Sequence, residues 1–368
     1  MSRFLGSVGV LCVAISCAFS MTHSANAQEA ESGVDVRATV TTHGIVSNEL
    51  TEEPRSGSPF AGGYRSVIYP TLKLNDHVVI TAALQSISRP YYYQNLSSAK
   101  YGINDSVLEA SVAYARASDK GSMMLRAGVL ATAFGSFPLR YDDAENPMMD
   151  APMQYGYYYS PVTTLGLLGV QADVTRGRWD GRMQLTNSSP ANPRSIFAKD
   201  QYLNMAAGGG YTVRQGFRIG VSAYRGPFLS RDSERFFPGE ANPRTLSARA
   251  VGVDVQWSKR HWNLQGEWQT FVFPYEATPT LREQAGYMEA KLVLTPRWYV
   301  AVRSGYTHSS PSSTIENFEV AGGFRPNRFQ LIKLSYGLYR EHKDSTEYDH
   351  VAAIQLVTSI HVLSHADR

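Results

Sequence analysis

Residues 250–270 read AVGVDVQWSKRHWNLQGEWQT, and this stretch decides the fold. Val251, Val253, Val255 and Trp257 alternate with Gly252, Asp254 and Gln256. Beyond Lys259-Arg260, Trp262, Leu264 and Trp268 alternate with Asn263, Gln265, Glu267 and Gln269. A period of two marks an extended strand with unlike faces, and a tight polar turn between two such runs makes an antiparallel hairpin. The runs extend over 246–258 and 261–273. Strands of soluble proteins average about 5–6 residues, whereas a tilted strand needs about 9–11 to cross a bilayer.

The same pattern continues in both directions. Sixteen candidate strands fall near 34–44, 65–74, 77–89, 104–118, 122–131, 165–175, 178–188, 203–213, 217–226, 246–258, 261–273, 284–295, 297–308, 315–325, 328–340 and 350–363. Short turns at Asn75-Asp76, Asp119 to Gly121, Gly177, Arg214 to Gly216, Lys259-Arg260, Thr295-Pro296 and Pro326-Asn327 alternate with longer connections. Those lie near 45–64, 90–103, 132–164, 189–202, 227–245, 274–283, 309–314 and 341–349. Tight turns on one side and long loops on the other, with an even strand count, describe a membrane barrel. The expected fold is all-β, a closed antiparallel up-and-down transmembrane β-barrel of about sixteen strands with a long third external loop.

The strand faces agree. Residues 328–340 set Ile332, Leu334, Tyr336 and Leu338 opposite Lys333, Ser335 and Gly337. Residues 284–295 set Met288, Ala290, Leu292 and Leu294 opposite Tyr287, Glu289 and Lys291. Sixteen strands enclose a lumen too wide for side chains to fill, so the polar face is expected inside. Trp179, Trp257, Trp262 and Trp298 lie within about three residues of a short turn, as do Tyr211, Phe217, Phe324 and Phe329; such amphipathic rings gather as a girdle at a membrane interface.

Residues 1–27 read as a secretory signal: a positive start at Arg3, an apolar run from Leu5 to Ser16, and Ala25-Asn26-Ala27 before Gln28. Residues 28–368 would form the barrel. Both cysteines, Cys12 and Cys17, fall inside the signal, so the exported barrel is expected to carry no disulfide. With 35 basic against 32 acidic residues, the chain has no electrostatic footprint for nucleic acid. No apolar run of about 20 residues suggests a bundle of membrane helices.

The third long connection follows the fifth strand and contains Phe134-Gly135, then Asp142-Asp143-Ala144-Glu145-Asn146-Pro147, then Tyr155 and Tyr157 to Tyr159. This layout resembles the sixteen-stranded Gram-negative outer-membrane porins, and Arg126-Ala127-Gly128 followed by Phe134-Gly135 resembles a strand-end signature of porin-like barrels. The resemblance implies that the loop folds into the barrel and narrows it, with Asp142, Asp143, Glu145 and Asp150 on the acidic side of a constriction. Lumen parity supplies Arg126, Arg303 and Lys333 as basic wall residues, with Arg37 and Arg182 lower down; Glu109, Glu267, Glu289 and Glu319 share that interior.

The implied activity is passive diffusion of small hydrophilic solutes or ions through a water-filled barrel in the bacterial outer membrane, without a cofactor. A homotrimer embedded in outer-membrane lipid is also implied, and small residues such as Ala207 and Gly209 could form the protomer contact. Two departures stand out. The sequence runs past Val362-Leu363 to Arg368 instead of ending on an aromatic residue, and the loop lacks the acidic-Phe-Gly-Gly element of enterobacterial porins.

The alternatives are a barrel enzyme of hydrolase type, or a surface adhesin or receptor. His308, Ser309-Ser310 and Glu316 would lie at an external strand end, but neither a His-Glu-x-x-His nor a Gly-x-Ser-x-Gly element is present. A calcium site at Asp142, Asp143 and Glu145 lacks a recognisable ligand spacing. The tyrosine runs 91–93 and 157–159 could stack sugar rings or line the external rim.

Overall fold

A computed structural model describes residues 32–48, 50, 58–89, 91, 102–137, 142–155, 166–186, 203–228, 246–310, 313–341 and 347–366. It contains sixteen strands. The first eight are β1 (Gly33–Ser47), β2 (Phe60–Lys73), β3 (Val78–Arg89), β4 (Gly102–Ser118), β5 (Gly121–Leu130), β6 (Leu167–Arg176), β7 (Trp179–Thr186) and β8 (Asn204–Arg214). The rest are β9 (Phe217–Pro227), β10 (Ser247–Lys259), β11 (Trp262–Phe273), β12 (Leu281–Thr295), β13 (Trp298–Ser310), β14 (Ser313–Asn327), β15 (Gln330–Glu341) and β16 (Asp349–Ala366). Each strand pairs with its sequence neighbours, and β1 pairs antiparallel with β16 to close the barrel. Closure leaves no unpaired strand edge.

All sixteen strands match the expected ones. Gly33 pairs with both Lys73 and Ala366, which puts the start of β1 and the end of β16 at the short-turn rim. Three of those turns carry a glycine at positive φ; Gly177 at 60° and Gly216 at 77° take the left-handed conformation that tight hairpins use and side chains resist. Four register shifts, at Val36/Arg37, Thr212/Arg214, Val293/Thr295 and Phe324/Asn327, lie near this rim, where bulges commonly re-aim strands.

One connection departs from expectation. The loop expected at 309–314 shrinks to two residues, because β13 runs to Ser310 and β14 starts at Ser313. Strand pairing continues out to Ser309 and Ser313, which face each other in the ladder on either side of the connection. Residues 1–27 and the tyrosines at 157–159 lie outside the described residues.

The faces fall as the alternation implies. Val221, Val251, Met288 and Leu334 are each about three-fifths exposed on the outer surface. Glu267, Glu289, Arg303 and Lys333 are buried inside. Trp179, Trp262, Trp298 and Phe329 are exposed outward, while Trp257, Phe217 and Phe324 are half-buried. Trp298 stacks on Phe324 at 4.3 Å between ring centroids, and Trp179 contacts Tyr211 at 4.7 Å.

The interior is not uniformly ionic. The loop brings apolar side chains inside: Phe134 packs with Tyr224 and Phe271, Met148 with Tyr299 and Leu331, and Met153 with Ile45 and Tyr339. At those points the lumen face is aromatic or small instead of charged, so part of the expected water-filled space is occupied by packed loop.

Candidate functional site

The chain from Ala131 to Gly166 joins β5 to β6, and its described parts, 131–137 and 142–155, lie inside the barrel. The first part is fastened to β7, β9 and β11. Gln184 Nε2 donates to the Ala131 carbonyl at 2.7 Å, and its Oε1 accepts from the Ala133 amide at 3.1 Å. Gly135 sits at φ 79°, its N–H donating to Ser222 Oγ and its carbonyl accepting from Arg182. A Cβ at this glycine would collide with the Tyr155 hydroxyl and lie 2.8 Å from Glu267 Oε1, so position 135 has neither the backbone freedom nor the space for a side chain.

Glu267 is the hub of this anchor. Its carboxylate accepts from the Ser136 amide at 2.9 Å, the Ser136 hydroxyl at 3.1 Å, Gln269 Nε2 at 2.9 Å and the Tyr155 hydroxyl at 2.5 Å. Burial, reinforced by the charge of Glu267, raises Tyr155 well above the ordinary tyrosine range, so it stays a protonated donor. A buried carboxylate is tolerable only when its lone pairs are satisfied in this way.

The second part is fastened to β1, β2 and β12–β15. Asp143 Oδ1 lies 3.1 Å from Arg65 Nη1, and its Oδ2 accepts from Thr41 Oγ1 and the Tyr91 hydroxyl, each at 2.9 Å. Lys333 Nζ donates to three loop carbonyls, Asp143 at 2.6 Å, Asn146 at 2.9 Å and Met148 at 3.1 Å. Arg303 donates to the Asp150 carbonyl at 2.7 Å, to Asn146 Oδ1 at 3.0 Å and to Glu289 at 2.6 Å, with Glu319 at 3.8 Å. Lys333 and Arg303 are essentially solvent-free, which only such complete capping permits.

The sequence-derived residues thus take different places. Lys333 and Arg303 hold the loop through its backbone oxygens and do not face its carboxylates across open space. Asp142 and Asp143 are buried together; burial first, then the neighbouring charge of Asp143, pushes the Asp142 carboxyl up to about 6. Asp142 Oδ2 has no hydrogen-bond partner. Asp150 is buried, whereas Glu145 is exposed. Arg37 lies near the short-turn rim, 3.6 Å from Asp35 and over the Tyr69 ring. Tyr91 is buried against the loop and is not at a rim.

A second group of charges lies on β4–β10 and stays partly exposed. Arg126 bridges Glu109 and Asp173, each at 3.0 Å. Arg182 pairs in register with Asp173, and Arg218 bridges Asp180 and Asp254, each at 2.6 Å. The Arg126 and Arg218 side chains are 16% and 22% exposed, against 1% or less for Arg65 and Arg303. Sequence reading did not single out Arg65, Asp173, Asp180, Arg218 or Asp254; the alternation with lumen-facing neighbours, as in Arg65, Val67 and Tyr69, was the available signal.

The residues of the suggested hydrolase set bond separately: His308 Nδ1 contacts Thr314 Oγ1, Ser309 donates to Glu283, and Glu316 pairs with Arg340.

A closed sixteen-stranded up-and-down barrel with a connection after β5 tethered inside it is the fold of the outer-membrane porins. No family model matches the chain, and no curated protein matches its sequence. Among solved structures, an anion-selective porin from Comamonas acidovorans is similar over 90% of this chain and 100% of that one, with a TM-score of 0.63 and 10% identity. A loop L8 deletion mutant of OmpT, an outer membrane protein of Vibrio cholerae, is similar over the same shares, with a TM-score of 0.60 and 10% identity. OmpF of Salmonella typhi, in a complex with daunomycin, covers 89% of this chain and 97% of its own, with a TM-score of 0.60 and 10% identity.

Proposed function

We propose that the protein is a passive diffusion channel of the bacterial outer membrane for small hydrophilic solutes or ions. One observation carries this reading: inside a barrel that is apolar outside, one group of charges on β4–β10 stays partly exposed beside a loop that is itself fastened within the barrel. Arg126 and Arg218, each between two carboxylates, line that part of the wall. Solutes would pass along it, between the loop and the wall, down their own gradient. Arg126, Arg182 and Arg218 would be the basic wall of the passage, with Glu145 as the loop carboxylate that meets it. Lys333, Arg303 and Arg65 would set the bore by fixing the loop. The nearly balanced charges favour weak ion selectivity, since Arg126 and Arg218 are each screened by two carboxylates.

The outer face supports membrane insertion, and a trimer packed through small outward residues such as Ala207 belongs to the same reading. Single-channel recording in planar bilayers tests the function. Discrete current steps that scale with salt concentration are expected; a protein that inserts without conducting would overturn the channel.

A further inference from the structure

The outer surface of β9–β12 bears three arginines at one level. Arg225 on β9 lies directly opposite Arg249 on β10 in the ladder. Arg249 lies opposite Val272 on β11, and Val272 lies opposite Arg282 on β12. All three share the outward face with Val221, Val251, Val253 and Met288, and each stands within two residues of its strand's long-loop end. All three are exposed. Among the described residues none of their side chains makes a hydrogen bond or ion pair.

Directly opposed residues hold their Cβ atoms about 5 Å apart, and like charges there are destabilising. Elsewhere on this rim the barrel neutralises such a cation: Arg340 is held 2.9 Å from Glu316 on the adjacent strand. The arginines of β9–β12 have no such partner, yet they sit where the apolar belt gives way to the polar rim. Guanidinium groups bind phosphate oxygens through paired N–H donors, and one phosphate between two of them removes their repulsion.

We infer that Arg225, Arg249 and Arg282 form a binding site for the phosphate groups of an anionic lipid headgroup at the long-loop rim. The site rests on the membrane reading above, because only a barrel in a bilayer presents these side chains at headgroup level. The apolar belt directly beneath selects a lipid over a free anion, since acyl chains would lie along Val221, Val251 and Val253.

Native mass spectrometry of the full chain in detergent micelles tests the site, with bisphosphorylated lipid A, monophosphoryl lipid A and inorganic phosphate as probes. The wild type should retain the bisphosphorylated lipid best. The variant R225Q/R249Q/R282Q should bind it at least tenfold more weakly, and R340Q should bind like wild type. Equal retention by wild type and triple variant would overturn the site, as would inorganic phosphate binding as tightly as the lipid. Insertion of both chains into neutral phosphatidylcholine bilayers with equal current leaves the membrane reading standing whichever way the lipid result falls. Failure of the wild type to insert there would overturn both.

Discussion

Lys333 Nζ lies 2.6 Å from the carbonyl oxygen of Asp143, a residue 190 positions away, and ignores that residue's carboxylate, which is taken by Arg65. A wall cation and a loop acid are thus joined through the backbone. The loop is clamped as a rigid object, and its side-chain charges are left to other partners.

Removing the clamp should release the loop. In Lys333→Met the carbonyls of Asp143, Asn146 and Met148 lose their shared donor while remaining inside the barrel. Hydrogen bonds to a charged group contribute about 1.5–3 kcal/mol each, and a loss of about 3 kcal/mol from the docked loop is expected after partial rehydration. Channel recordings should show larger and noisier current steps. A quiet trace identical to wild type would remove Lys333 from the clamp.

Docking of the loop should weaken as pH rises. The Asp142 carboxyl is raised from 3.8 to about 6 by burial and by Asp143, so the docked loop holds its proton more tightly than a released one. The stabilisation from that proton is complete below about 3.8 and is lost as pH climbs through about 6; at 1.36 kcal/mol per pKa unit it is up to about 3 kcal/mol. Current noise should therefore grow between pH 5 and 7.5, and Asp142→Asn should stay quiet throughout. A variant with the wild-type pH profile would show that another group titrates.

Charge reversal on the exposed wall should move selectivity. Arg126 stands between Glu109 and Asp173, so Arg126→Glu leaves three carboxylates together. The reversal potential in a salt gradient should shift toward cations. Arg303→Gln, by contrast, should act chiefly on loop stability. No shift in Arg126→Glu would place the passage elsewhere.

The outer aromatic rings report directly on the membrane. Trp179, Trp262 and Trp298 are exposed near the short turns and should be quenched by lipids brominated close to the headgroup more than by lipids brominated at the chain ends. Trp268, stacked on Tyr306 at 5.9 Å, lies mid-strand directly opposite Val253 and should quench best with bromines placed deeper in the chains. Tryptophans insensitive to every brominated lipid would contradict insertion.

Strand count, facing and the short-turn rim were legible in the order of residues, because a period of two is local: each side chain's face follows from its immediate neighbours. The stretch 250–270 already separates Trp262 and Trp268 from Glu267, and the structure puts the tryptophans outside and the glutamate inside. Contacts across the barrel are not local. That Lys333 meets the Asp143 carbonyl, that Glu267 meets Tyr155 and Ser136, and that Arg225 opposes Arg249 depend on barrel closure, strand register and the path of one loop. These set distances between residues up to about two hundred positions apart, and no periodicity encodes them. The amino-acid sequence alone determined an inside and an outside; the tertiary structure alone decided which interior charges are sealed by the loop and which remain open to water, because burial is a property of the closed barrel and not of any strand within it.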